Sequence, residues 1–111
     1  MKTFIQPGQT VTLTAPYDVI SGACLKVGAI VGVAANDAAA GAEVETMLTG
    51  VHDLAKAPSQ AWTAGAKIYW DDTNKVTTTT ATSNTLIGVA LLAVAGGASD
   101  TIGRVRLNGS F

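Results

Sequence analysis

Lys67-Ile68-Tyr69-Trp70-Asp71-Asp72-Thr73-Asn74-Lys75-Val76-Thr77-Thr78-Thr79-Thr80 is the stretch on which the reading of the fold turns. Ile68 and Trp70 fall on one face of an extended segment and Lys67 and Tyr69 on the other, the period of two of a half-buried strand. Asp71-Asp72-Thr73-Asn74 has the composition of a four-residue hairpin loop. The run over 75–80 is rich in β-branched threonine, which is more comfortable extended than helical. It is the returning strand of a hairpin.

Working outward, the same grammar recurs. Upstream, Thr10-Val11-Thr12-Leu13-Thr14 alternates strictly between the Pro7-Gly8 turn and Pro16. Leu25 with Val27, and Ile30-Val31 with Val33, form two further strand candidates separated by Gly28. The alanine-rich stretch 34–42 has helical propensity but no apolar stripe, and Asn36, Asp37 and Gly41 break it, so a loop is expected. Short β-like segments follow at 44–48 and 51–54, with Gly50 between them and Pro58 closing the set. Downstream, Ser83-Asn84 marks a turn, and Leu86-Ile87-Gly88-Val89-Ala90-Leu91-Leu92 is apolar at both parities, as in a central strand buried on two faces or a strand in a subunit interface; a buried helix is the competing reading, weakened by Gly88. After a Gly96-Gly97-Ala98-Ser99-Asp100 turn, Ile102, Arg104 and Arg106 alternate with Val105 and Leu107. Turn signals spaced about 8–12 residues apart belong to a compact β-sandwich or β-barrel of short antiparallel strands. The expectation is a mainly β fold in one domain over residues 1–111. Val11, Leu13, Val33, Ile68, Trp70, Ile87, Val89, Val105 and Leu107 are the expected core.

Composition narrows the function. Of 111 residues, 48% are hydrophobic and 14% charged, against roughly 25% charge in an average globular domain. A surface this poor in charge is suited to being covered by other protein. The net charge of -1 supplies no field to attract nucleic acid or anionic lipid. Cys24 is the sole cysteine, so no internal disulfide forms, which fits folding in a reducing bacterial cytoplasm. Pro7 and Gly8 interrupt the apolar residues Phe4 and Ile5 before a signal-peptide core is reached. The longest apolar run, 86–95, is about half the length that crosses a bilayer as a helix. No membrane contact is expected.

Residues that could carry chemistry are few and badly placed for it. His52 and Asp53 are strand neighbours and point to opposite faces, so Asp53 cannot orient the imidazole toward Ser59 or Cys24. One histidine and one cysteine give no metal-ligand spacing, and no metal or other cofactor is expected. Glu43 and Glu45 share a strand face without a cleft for a sugar, while Asp71 and Asp72 read as turn caps; the alternating ligands of a calcium loop are missing. Ala64-Gly65-Ala66-Lys67-Ile68 lacks both the first glycine and the Ser or Thr of a phosphate loop, and a strand follows it. Arg104 and Arg106 lie on one strand face without an aromatic platform, a weak signal for phosphate and a reasonable one for an acidic patch on another protein. With Leu91 and Trp62 they are the candidate interface residues. No enzymatic activity is expected.

Phe4-Ile5-Gln6-Pro7-Gly8, Trp62-Thr63-Ala64-Gly65-Ala66-Lys67-Ile68-Tyr69-Trp70-Asp71, Ile87-Gly88-Val89-Ala90 and Val105-Arg106-Leu107-Asn108-Gly109 run in order through the chain. In this series it resembles a family of small phage and prophage capsid decoration proteins, long catalogued as a domain of unknown function and sometimes labelled RecA/RadA-type recombinases. The missing phosphate loop makes the recombinase label untenable here. The resemblance implies a head protein that binds the outside of the major capsid lattice. It also implies assembly as a trimer, which matches the threefold positions of an icosahedral shell. Two alternatives come from other classes. A prophage fibre or tail module could bind a carbohydrate or receptor if Trp62, Tyr69 and Trp70 formed an exposed stacking platform. A small hydrolase would need Glu43 or Asp72 as its acid or base.

Overall fold

The computed structural model describes residues 10–108; the Phe4 to Gly8 motif, the Pro7-Gly8 turn and Gly109 lie outside the described residues. Nine strands and no helix are found among them. β1 (Thr10–Thr14), β2 (Cys24–Val27), β3 (Ile30–Ala34) and β4 (Glu43–Met47) form an antiparallel sheet in the order β1-β4-β3-β2. β5 (Thr49–Ala55), β6 (Lys67–Asp71), β7 (Val76–Thr78), β8 (Thr85–Ala90) and β9 (Ile102–Asn108) form a second, in the order β5-β9-β8-β6-β7. The chain passes from one to the other at the buried Leu48. Gly50, expected to separate two strands, lies inside β5 instead, at φ +100°.

The hairpin from which the fold was read is present: Asp71 pairs with Val76, Trp70 with Thr77 and Tyr69 with Thr78. The Asp71 carboxylate accepts from the amides of Thr73 (3.0 Å) and Asn74 (3.1 Å), which turns the chain back on itself. The returning strand is shorter than the threonine run. The Gln60 side-chain oxygen takes the Thr79 amide at 2.8 Å and so ends the ladder at Thr78.

The five-stranded sheet curls into a half-barrel, and its outermost strands are drawn together at one end. Lys56 and Thr77 form a parallel bridge, the Ala57 amide donates to the Thr77 carbonyl (2.9 Å), and the Thr77 hydroxyl donates to the Ala55 carbonyl (2.7 Å). Inside are Leu54, Trp62, Ile68, Trp70, Ile87, Ala90, Val105 and Leu107. Cys24, Val31 and Val33 join them from one face of the four-stranded sheet. The other face of that sheet buries Leu25, Ala34 and Val44 beneath the loops that carry Ala15 and Val19, a second small core. Those loops are joined by reciprocal Val19–Ala38 backbone bonds of 2.9 Å, and the stretch from 35 to 42 is a loop, as its sequence predicts.

Three expected core residues are only half buried. Val11 and Leu13 lie on β1, which among the described residues pairs on one side alone. Val89 is displaced by a bulge. Ile68 pairs with Gly88 but Tyr69 pairs with Leu86, so Ile87 is an extra residue in β8 and the inward parity switches there. Ile87, Gly88 and Ala90 face in, while Val89 faces out opposite Lys67 and Arg106. The run is apolar on two faces, but only Ile87, Gly88 and Ala90 are buried, while Leu86, Leu91 and Leu92 are exposed and Val89 is half buried.

Trp62 fills the half-barrel at 2% exposure. Its backbone bridges Val94 in both directions (2.9 and 3.0 Å), and its indole N–H donates to Gln60 Oε1 (3.0 Å). A Cβ placed on Gly103 would overlap the six-membered part of the indole, so β9 carries no side chain at that inward position because the ring already occupies the space. We expect Trp62→Ala to lower stability by about 3–5 kcal/mol and Gly103→Val by about 1–3 kcal/mol through overpacking, both measured by urea denaturation. Unchanged midpoints would contradict this packing.

Candidate functional site

The outer face of the half-barrel is organised by β9, whose residues alternate exposed and buried along its whole length. Register decides what surrounds its two arginines. Arg104 lies opposite Asp53 on β5, and Arg106 lies opposite Val51 on one side and Val89 on the other. The Leu91 amide donates to the Arg104 carbonyl (3.0 Å) just beyond the end of β8. Val51 (50%), Leu91 (39%), Leu92 (51%) and Ile102 (57%) are exposed in the same region. Arg104, Arg106 and Leu91 are thus brought together on one side of the molecule. Trp62, grouped with them from sequence, is enclosed in the core beneath Gly103 and offers no ring to a partner.

The two arginines are not equivalent. Arg104 grips Asp53 through Nε to Oδ1 (2.8 Å) and a terminal guanidinium nitrogen to Oδ2 (3.1 Å), a two-pronged pair that fixes the guanidinium plane. That hydrogen bond holds the Asp53 carboxyl below its ordinary range and raises the Arg104 guanidinium above its own. The pair is open to solvent, so it orients the side chains more than it stabilises the fold. Arg106 has no side-chain partner among the described residues and stands between valines. Sequence reasoning missed Asp53, Val51 and Val89 as neighbours of this site, because pairing register across strands is not visible in any one segment.

Beside this face is a cleft of about 490 Å³ between the half-barrel and the 17–24 loop, lined among others by Tyr17, Ile20, Cys24, Ala55, Trp70 and Ile102. The Tyr17 hydroxyl donates to the Cys24 carbonyl (3.1 Å), and the Lys75 ammonium lies 4.3 Å from the centre of its ring. Burial, followed by the nearby Asp72 carboxylate, pushes the phenol up to about 12. Burial alone pushes the Cys24 thiol up to about 12, which leaves it protonated and inert.

The remaining candidates do not converge on a reacting centre. His52 Nε2 contacts the Thr49 carbonyl (3.1 Å) while Asp53 turns to Arg104, the opposite-face arrangement that adjacency on a strand requires. Glu43 and Glu45 are exposed on one face of β4, and Thr12 donates its hydroxyl to Glu45 (2.6 Å). Asp71 is engaged in its turn, and Asp72 accepts the Trp70 indole N–H (3.0 Å) and the Lys75 ammonium (3.2 Å). Trp62 and Trp70 are both buried, so the exposed aromatic platform of a sugar-binding module is not formed. Among the described residues no group of three or more His, Cys, Asp and Glu could hold a metal ion, and no helix is long and apolar enough to cross a membrane.

An all-β scaffold that sets arginines among exposed aliphatic residues on one sheet face has the mixed polar and apolar surface found in proteins that act by binding other protein. The chain matches the family model of phage cement proteins over residues 5–107, and it belongs to that family. It is a structural protein of the phage virion that decorates the capsid. No curated protein matches the chain, and no solved structure matches it.

Cys24 provides a check on the cleft. In the native protein at neutral pH its reaction with a thiol reagent is expected to be at least about a hundredfold slower than in urea; equal rates would show that the loop over it is not closed.

Proposed function

We propose that this chain sits on the exterior of the capsid as a trimer, after synthesis in the bacterial cytoplasm, and cements the major capsid protein lattice through the outer face of β5, β9 and β8. The observation that carries this reading is Arg106, without a side-chain partner among the described residues and framed by Val51 and Val89. A solvated arginine among half-exposed aliphatic side chains gains most when an acidic group of another chain meets it and the aliphatic rim excludes water. Arg104, held by Asp53, presents a fixed plane beside it, and Leu91 and Ile102 extend the apolar rim. A trimer suits a threefold lattice position, and symmetric closure covers part of an apolar surface that one subunit leaves open. No step of this role needs a cofactor, nucleic acid or catalysis.

Purified protein added to undecorated heads should bind to a fixed stoichiometry, and sedimentation should give three times the monomer mass. Arg106→Glu should weaken head binding by about tenfold or more while leaving the far-UV spectrum and the thermal midpoint in place. Wild-type affinity in that variant would remove Arg106 from the interface, and a monomer mass would confine assembly to the lattice.

A further inference from the structure

The edges of the two sheets differ in how they are protected. β5 and β7 are drawn together at Lys56 and Thr77. The outer side of β2 is met by Tyr17, whose hydroxyl takes the Cys24 carbonyl, and the strand carries Lys26, a charge of the kind that guards an edge. β1 has no such protection. It pairs with β4 alone among the described residues, and its sequence Thr-Val-Thr-Leu-Thr contains no charge, proline or glycine. Val11 and Leu13, its apolar side chains, stay half buried although Leu13 packs on the second core. A further strand beside β1 would cover both.

The electrostatics of this side indicate what that strand carries. Residues 10–23 and 35–47 include Asp18, Asp37, Glu43 and Glu45 and not one lysine or arginine. Glu45 is in register with Thr12 and Glu43 with Thr14, so the exposed face next to the open edge is threonine backed by carboxylate. An incoming strand would lie two strand spacings, about 9–10 Å, from β4, a gap that long lysine or arginine side chains can span over the threonines of β1 to meet those carboxylates. A second copy of this chain is a poor occupant. Its own β1 would bring two carboxylate-bearing faces together.

We propose that the open edge of β1 accepts an extended segment of the capsid protein as a fifth strand of this sheet. Basic residues of that segment face Glu43 and Glu45, and apolar residues on its other face cover Val11 and Leu13. The inference rests on the capsid-binding reading and adds to it a second contact, remote from Arg106, made through main-chain hydrogen bonds. Hydrogen–deuterium exchange on the full chain, free and bound to undecorated heads of the phage that encodes it, tests the proposal. Amides of β1 are expected to exchange at least about tenfold more slowly in the bound state. Thr12→Lys, which charges the edge, and the double variant Glu43→Lys with Glu45→Lys should each weaken head binding by about tenfold with the fold intact by circular dichroism. Binding with β1 exchange unchanged overturns this proposal and leaves the cement role standing, whereas failure of the wild-type chain to bind overturns both. Protection of β1 that appears in the free protein as its concentration is raised would assign the edge to a second copy and overturn the capsid strand.

Discussion

Lys56 closes the half-barrel, and it does so without a counter-ion. Its side chain is 1% exposed, and its ammonium donates to the carbonyls of Ala57 (2.7 Å) and Asp100 (3.0 Å) while lying 5.8 Å from the centre of the Trp62 ring. A cation taken out of water is costly unless its donors are satisfied, and here two main-chain acceptors and an aromatic face take the place of hydration. The geometry is demanding. Asp100 belongs to the turn before β9, Ala57 follows β5, and Trp62 lies between them, so the ammonium is satisfied only when all three segments have arrived. The Lys56 amide adds a 2.7 Å bond to the Thr101 carbonyl. A methionine of similar length would fill the volume but would leave both carbonyls to find other donors.

That closure determines where binding surfaces can exist. With β5 and β7 held together at the Lys56–Thr77 end, the edges of the five-stranded sheet are closed there. What it offers is its outer face, where side chains alone make contact. The four-stranded sheet is the reverse case. The half-barrel covers Cys24, Val31 and Val33 on one face and the sheet's own loops cover Leu25, Ala34 and Val44 on the other, while Thr10, Thr12, Thr14, Glu43 and Glu45 are exposed on β1 and β4 and, among the described residues, the outer edge of β1 is main-chain surface. Charge follows the same division. Arg104, Arg106 and Lys67 lie with Asp53 on the outer face of the half-barrel, whereas β1, β4 and the stretches 15–23 and 35–42 hold Asp18, Asp37, Glu43 and Glu45 and no lysine or arginine of their own. A small protein with near-zero net charge can therefore present two surfaces of opposite character, which gives orientation on a lattice more than it gives affinity.

Sequence conveyed the alternating strands because each lies with one face in a core and one in solvent, the condition under which period two is legible. Lys67 to Trp70 and Ile102 to Leu107 were read to the correct face for that reason. It failed at β8, where a single bulged residue exchanges the faces midway, and a pattern of fixed parity cannot show such a change. It failed again at Trp62. A tryptophan among small residues in a loop resembles a surface contact until one knows that Gly103, forty residues away in the chain, is the floor on which the ring rests. The two halves of that fit are each unremarkable in sequence: a glycine in a strand and a tryptophan in a turn. At the candidate surface, the two arginines were legible from their spacing, but the difference between them was not. That Arg104 meets Asp53 while Arg106 meets Val51 follows from the pairing of β5 with β9, a non-local fact.

Gly88 joins the two levels of the structure. It sits inside the bulged part of β8, where an added Cβ would run into the carbonyl of Arg106. The strands approach closely there because no side chain keeps them apart, and that approach sets the backbone of Arg106 and turns Val89 outward beside it. The close approach of β8 and β9 beside the half-buried Val89 therefore depends on an inward glycine. Rigidity at this point has a functional value, since a contact repeated across a capsid is effective only if each copy presents its side chains at the same height and angle. The bulge, the missing Cβ and the buried lysine clasp supply that rigidity through backbone and core, which leaves the side chains on the surface to be chosen for the partner.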